Sequence, residues 1–323
     1  MRAVVCHEYG PPSSLVVEEH PDPAPAHDGV VVAVEAAGVN FVDGLFVGGR
    51  YQIKPPLPFV PGNEVAGTIA EVGGGVEGWQ VGDRVLASVG LGGFASAVAV
   101  AAEAISPVPQ GMSAGAAAAF TQSYCTALFA LRDRARIRPG EQLLVLGAAG
   151  GVGLAAVGVG KALGARVLAA ASSPARLERC VAAGADATID YSAGDLKDAA
   201  RAESGGGVDV VLDPVGGDLS EPALRALGEL GRLCVIGFAR GDIPRLPTNQ
   251  VLLRNRAVVG VDWGAWAMRD PAAQRALLDD ALAMTGRGEI TPPEPTTYPL
   301  ERAGDALDDL LEHRLIGKAV LAP

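Results

Sequence analysis

Apolar residues change rhythm twice along the chain. Up to about residue 120 they come in short runs rich in Val and Ala, such as GVVVAVEAAGV, EVAGTIAEV and DRVLASV. Runs of this length with β-branched residues predict strands. Turn-forming pieces separate them: PDPAP, VPGN, GGGVEG and QVGDR. Short strands at close spacing predict a twisted barrel or sandwich. From about 121 to 264, strand-like and helix-like stretches alternate. QLLVLGA, ARVLAAA, VDVVLDPVG and GRLCVIG read as strands; GLAAVGVGKALG, PARLERCVAAG and SEPALRALGEL read as helices. The alternation predicts βαβ units and a parallel sheet covered on both faces. Pro174 at a helix start and Gly184 past its end fit the expected punctuation. Beyond 264, helices are predicted at about 271–285 and 300–313, then a strand in GKAVLAP. This last stretch is too short for its own domain and is expected to pack on the first segment. The domain reading is 1–120 with 265–323, and 121–264 between them. The class is α/β.

One apolar stretch needs separate treatment. Leu143 to Gly160 is eighteen residues without a charge, and a hydropathy scan would flag it as a membrane span. Six of those residues are Gly, and four of the six fall between Gly147 and Gly153. Such a segment makes a poor membrane helix. Its spacing is Ala148-x-Gly150-x-x-Gly153, set between a strand and a helix. That is a dinucleotide fingerprint with Ala in the first glycine position. The first position makes the tight turn, Gly150 admits the pyrophosphate, and Gly153 lets the helix close on the strand. The helix N-terminus, with Gly151 and Val152, offers unpaired N–H groups to the anion.

The cofactor's identity turns on the end of the second strand. NAD sites place an acidic residue there for the ribose hydroxyl. Here no acid occurs between Gly153 and Glu178, while Ser172, Ser173 and Arg176 cluster in ASSPAR. Hydroxyls and a guanidinium suit a 2′-phosphate, so NADPH is expected over NADH. The alternative for Arg176 is a solvated helix face.

Composition changes the picture only by exclusion. The 323 residues carry a formal net charge of −11, which opposes nucleic-acid binding. MRAVVCHEYGPP has no apolar core of signal-peptide length, and a cytoplasmic, non-membrane protein is expected. Cys6, Cys125, Cys180 and Cys234 form no CxxC pair and predict neither a zinc ribbon nor a disulfide framework.

Taken together, these features resemble the medium-chain dehydrogenase/reductase superfamily. More narrowly, the chain resembles its zinc-free quinone oxidoreductase (zeta-crystallin-like) branch. The matching pieces are AAGVNFVDGLFVGGRY, PFVPGNEVAGTIAEVG, VGDRV, GAAGGVGLAA, DVVLDPVGG, GRLCVIGFA, NRAVVGVDWG and GKAVL, in order along the chain. The resemblance implies a GroES-like β-barrel domain, an inserted Rossmann domain, an active site in the cleft between them, and a homodimer. RAVVGVDW is then the edge strand through which two sheets meet, or an ordinary internal strand.

The zinc alcohol dehydrogenases of this superfamily carry a Cys where this chain has Asn40 and a His where it has Asn63. Amides are poor zinc ligands, and His7, His20, His27 and His313 lie outside these motifs. No metal is expected. Without a Lewis acid, an electron-poor acceptor such as a quinone or a conjugated enone is the easier substrate for hydride. The resemblance places Asn40, Asp43 and Tyr51 near the nicotinamide. Asn40 would donate to an oxyanion or stabilise a local turn. Tyr51 would bond the acceptor carbonyl or supply a proton, or be a packed aromatic. Leu45, where many members carry Tyr, and the small Gly44 imply a wider pocket. Asn63 and Trp263 would line it, Trp263 and Trp266 alternatively packing a domain junction. Thr126 in TQSYCTA, and Gly237, Phe238 and Ala239 in IGFARG, would lie against the nicotinamide. Tyr191 would lie at the 2′-phosphate. Arg314 and Lys318 would contact phosphates, or be a helix-end cation and a surface lysine. The leading function is an NADPH-dependent quinone oxidoreductase. The alternatives are an enoyl thioester reductase, with Arg50 and Lys54 meeting pantetheine phosphates, and a non-catalytic NADPH-binding redox sensor.

Overall fold

The structure, a computed structural model, describes residues 1–323. Two compact units divide the chain: Met1–Thr121 with Pro293–Pro323, and Gln122–Pro292.

The first leg lays down β1 (Arg2–Val5), β2 (Val16–Glu19), β3 (Gly29–Val39), α1 (Phe41–Val47), β4 (Glu64–Val72), β5 (Arg84–Ser88), β6 (Ala97–Ala101), β7 (Ile105–Pro107) and α2 (Ala114–Ala118). The middle leg holds α3 (Thr121–Leu128), β8 (Gln142–Val145), α4 (Gly151–Ala162), β9 (Arg166–Ala171), α5 (Pro174–Ala182), β10 (Ala187–Asp190), α6 (Leu196–Glu203), β11 (Val208–Asp213), α7 (Ser220–Ala226), β12 (Leu227–Val235), α8 (Thr248–Leu252), β13 (Ala257–Gly260), α9 (Trp263–Arg269) and α10 (Pro271–Gly286). The last leg adds β14 (Thr296–Pro299), α11 (Ala303–Leu311) and β15 (Ala319–Ala322).

In the first unit, one seven-stranded sheet runs β14-β15-β3-β4-β5-β7, with β6 also on β3. β3 and β4 shift register twice, at Val31/Val32 and at Val34/Ala36. Such bulges bend a sheet, and this one closes on a core that includes Val30, Val32, Ile69, Phe94, Leu307 and Leu321. β15 pairs antiparallel with β3, setting Ala319 opposite Val39. β15 thus completes the sheet that β3 and β4 begin.

In the second unit, six parallel strands stand in the order β10-β9-β8-β11-β12-β13. This is the doubly wound order, and its direction reverses between β8 and β11. The central strands β8, β9 and β11 are buried almost throughout: Leu143, Leu144, Val145, Val167, Leu168 and Val211 are fully buried. That explains their continuous apolar runs.

Two details depart from the sequence reading. The helix in SEPALRALGEL stops at Ala226, and Leu227–Leu230 belongs to β12. Arg256 satisfies that helix end: its guanidinium donates to the carbonyls of Arg225 and Leu227. The second domain boundary falls at Pro292, not at 264. α10 buries Leu277, Leu278, Ala281, Leu282 and Met284. It is also tied to the second unit by Arg132–Asp280 at 2.8 Å and by Gln274, which accepts from the Trp263 indole at 2.7 Å. No helix is long and apolar enough to cross a membrane.

Candidate active site

The glycine turn leaves the C-terminal end of β8, at the reversal point of the sheet. Gly150 opens α4 with an extended backbone, and no side chain caps this helix end. No acidic residue occupies its first turn. The N–H groups of Gly151, Val152 and Gly153 are therefore available to an anion. Gly153 is dictated by space. A Cβ there would stand 2.4 Å from the Gly147 carbonyl oxygen and 2.7 Å from the Ala148 backbone. Ala148 is fully buried and its N–H donates to Ala170 O, tying the turn to β9.

Ser172, Ser173 and Arg176 follow β9 directly, and the Tyr191 N–H donates to Ala171 O. The structure therefore brings Tyr191 to the serines. It also brings Asp190, which the sequence reading left out: Asp190 pairs with Ala171 across the sheet. Its carboxylate turns onto its own loop, accepting from the Ser192 N–H and hydroxyl. Those bonds hold its pKa below the ordinary value.

Gly237, Phe238 and Ala239 follow β12 and are held by the turn after β11. Ala239 N–H donates to Pro214 O, Arg240 N–H to Val215 O, and Gly217 N–H to Asp242 O. Gly216 has φ +73, and a Cβ there would meet the Phe238 ring at 2.9 Å. Asp213 organises this turn and was missed by sequence reasoning. It is buried, and its carboxylate accepts from Val215 N, Gly216 N and the Ser220 hydroxyl. Thr126 is buried on α3. Trp263 is half-buried against Gln274, and Trp266 stacks on Phe129 at 4.5 Å. Both tryptophans pack within the second unit.

The first unit carries a different kind of site, set by strand register. Asn40 follows β3 and starts α1. Glu64 begins β4 opposite Gly38, and Lys318 precedes β15, whose Ala319 lies opposite Val39. Three strands thus deliver three polar side chains to one place. The Asn40 amide donates to Glu64 Oε2 at 2.7 Å. Its carbonyl accepts from the Lys318 ammonium, which also donates to Val39 O at 3.1 Å and lies 3.7 Å from Glu64. Asp43 accepts the Asn40 backbone N–H at 2.8 Å, and its other oxygen is buried without a hydrogen bond. Burial raises Asp43 to about 7, against the pull of the Asn40 N–H and Lys318. Burial likewise lowers Lys318, opposed by Glu64 and Asp43.

Tyr51 lies edge-on to Phe46 of α1 at 4.9 Å and has no hydrogen bond within the protein. Leu45 is half-buried on α1. Gly44 does not widen a pocket. A Cβ there would touch the Leu311 side chain at 3.0 Å, so the missing side chain is replaced by Leu311 of α11. Asn63 accepts from Gly90 N at 2.8 Å and ties down that loop. Lys54 lies over the Tyr9 ring at 5.9 Å. Arg314 pairs with Asp309 and Glu312 after α11, the helix-end alternative. Lys318 is no surface lysine: its side chain is only 12% exposed. No group of three or more His, Cys, Asp or Glu side chains is placed to hold a metal ion. Glu64 was the other functional residue missed. Its one sequence signal is an acid opening an otherwise apolar strand, EVAGTIA.

This pairing of a bent sheet with a doubly wound dinucleotide fold has relatives. Residues 26–110 match the alcohol dehydrogenase GroES-like domain family, and residues 151–278 match the zinc-binding dehydrogenase family. The chain belongs to the medium-chain dehydrogenase/reductase superfamily. Within it, the chain belongs to the quinone oxidoreductase branch. It is 38% identical to quinone oxidoreductase-like protein 2 of Bos taurus, over 99% of this chain and 92% of that protein. It is 37% identical to the quinone oxidoreductase of Thermus thermophilus, a structure described with its NADPH complex, with a TM-score of 0.83 and 100% of both chains covered. It is also similar to the CurK enoyl reductase, at 27% identity, a TM-score of 0.88, and 99% and 98% coverage. The protein is an oxidoreductase of this superfamily.

Proposed function

We propose that the protein is an NADPH-dependent, zinc-independent reductase of quinones or other conjugated carbonyls. The observation that carries the reading is the commitment of the Asn40 amide to Glu64 and Lys318. A neutral amide so held offers an N–H to a developing oxyanion, which suits an acceptor that needs no Lewis acid.

The second unit fits NADPH. The uncapped first turn of α4 suits a pyrophosphate, and Ser172, Ser173, Arg176 and Tyr191 suit a 2′-phosphate. Asp190, bonded to Ser192, is turned away from a ribose-binding role. When bound, NADPH supplies the hydride. Asn40 then donates to the acceptor oxygen, and Tyr51, with its hydroxyl uncommitted, bonds that oxygen or delivers a proton. Neutral phenols are donors at neutral pH. The four cysteines are free and buried, which fits a reducing compartment, the cytoplasm. β13 is an edge of the parallel sheet with Ala257, Val258 and Gly260 exposed. We assign it as the seam of a homodimer, to be checked by the solution mass of Val258→Lys against the parent.

An enoyl thioester reductase is the second reading, favoured by the CurK likeness and the free Tyr51 hydroxyl. One assay separates them: NADPH oxidation by the purified protein with an ortho-quinone and a trans-2-enoyl thioester in parallel, and NADH as control. Turnover of the quinone with NADPH alone supports the leading reading. Turnover of the thioester moves the protein to the second. Tight NADPH binding with neither turned over points to a sensor.

A further inference from the structure

An asparagine amide has two chemically opposite ends, and nothing intrinsic fixes which end faces a ligand. At Asn40 both ends are specified by partners with no choice of role. Glu64, as a carboxylate, only accepts, so it takes the NH2 end at 2.7 Å. Lys318, as an ammonium, only donates, so it takes the carbonyl end. Swapping the ends would set N–H against ammonium and carbonyl against carboxylate.

Two of the three Lys318 donors are spent as well. One goes to Val39 O, one to Asn40 Oδ1, and the charge lies 3.7 Å from Glu64. The backbone enforces this, because Ala319 pairs with Val39 and Glu64 with Gly38. The one hydrogen of the Asn40 side chain left without a partner is the second N–H of Nδ2.

We infer that Glu64 and Lys318 are positioning residues that lock the Asn40 amide so that it presents an N–H, never its carbonyl, to the acceptor oxygen. Neither residue touches the acceptor; each acts through Asn40. The expectation that Lys318 contacts a cofactor phosphate is thereby replaced. The arrangement also has a stability cost, since buried ions are expensive to desolvate. Its return is a fixed electrophile where negative charge develops. The inference rests on the proposed role of Asn40 as an oxyanion donor.

The test is a mutant cycle read by kcat and by the NADPH dissociation constant from fluorescence. Asn40→Ala, Lys318→Met and their combination are compared. Lys318→Met is expected to lower kcat about tenfold to a hundredfold while leaving the NADPH constant within about twofold. In the Asn40→Ala background, the same change is expected to move kcat by less than about twofold, because residues acting as a unit are not additive. Lys318→Arg is expected to recover most of the rate. Should Lys318→Met fail to fold because Glu64 loses its counter-charge, Lys318→Met/Glu64→Gln removes both charges and serves in both backgrounds.

A tenfold or larger weakening of NADPH binding by these variants would make Lys318 a phosphate ligand and overturn the inference. Equal rate losses with and without Asn40 would overturn it too, leaving the oxyanion role of Asn40 intact. A silent Asn40→Ala would sink the oxyanion role and this inference together.

Discussion

At Gly153 a single added carbon would stand 2.4 Å from a backbone oxygen, and the working groups around it are N–H groups of a helix end. At Asn40 charged side chains lead: Glu64 and Lys318 hold the two ends of its amide, and Asp43 accepts its backbone N–H. The first region is made by what the residues lack. The second is made by charges that each need the others. A backbone site tolerates any residue that leaves its space open. In the charged cluster, removing Glu64 or Lys318 alone takes the counter-charge from the other buried ion.

Four substitutions would break or sharpen that contrast. Asn40→Ala removes the side-chain donor and is expected to lower kcat by about 100- to 1,000-fold, as loss of an oxyanion donor does elsewhere, with NADPH affinity unchanged. Steady-state kinetics with a quinone would show it. Gly153→Ala is expected to weaken NADPH binding at least about tenfold and to cost about 1–3 kcal/mol of stability, as overpacking does. Fluorescence titration and denaturant melts measure the two effects. Arg176→Ala is expected to weaken NADPH about tenfold, at the low end of a lost charge-assisted bond of ~1.5–3 kcal/mol, and to leave NADH untouched. Unchanged affinity for both cofactors would return Arg176 to the solvated helix face.

The fourth substitution concerns Asp43. Burial raises its folded pKa to about 7 from 3.8, so the folded state holds a proton that the unfolded state releases. Its favourable contribution is complete below the unfolded value and is lost as pH rises through about 7. Asp43→Asn should therefore lose this pH dependence. Parent and variant melting temperatures should draw apart in the variant's favour between about pH 4 and pH 7. Parallel melting curves over that window would contradict the assignment.

These two regions also differ in how far the chain announces them. The nucleotide turn occupies consecutive residues, so its steric demand appears as a run of small side chains, and Ala148, Gly150 and Gly153 could be read directly. Ser172, Ser173 and Arg176 were legible for the same reason. Tyr191 needed the resemblance. The Asn40 cluster joins residues 24 and 278 positions apart, and no local pattern records a partner at such distance. Lys318 read as a phosphate contact or a surface lysine, and Glu64 as a strand's first residue. Gly44 read as an opening because its neighbour Leu311 comes from another helix. The boundary at 264 was misplaced because α10 has a buried face that either unit could have covered, and only packing decides.

The insertion of Gln122–Pro292 into the first unit has a consequence in time. A ribosome delivers the whole nucleotide-binding unit before it delivers β15 and Lys318. Domains fold as units during synthesis, earlier segments first. The parallel sheet can therefore mature while Asn40 and Glu64 wait, their strand edge unpaired and their amide unlocked. Lys318 arrives only after the inserted unit is made, and the Asn40 amide is locked only once the scaffold for the cofactor already exists.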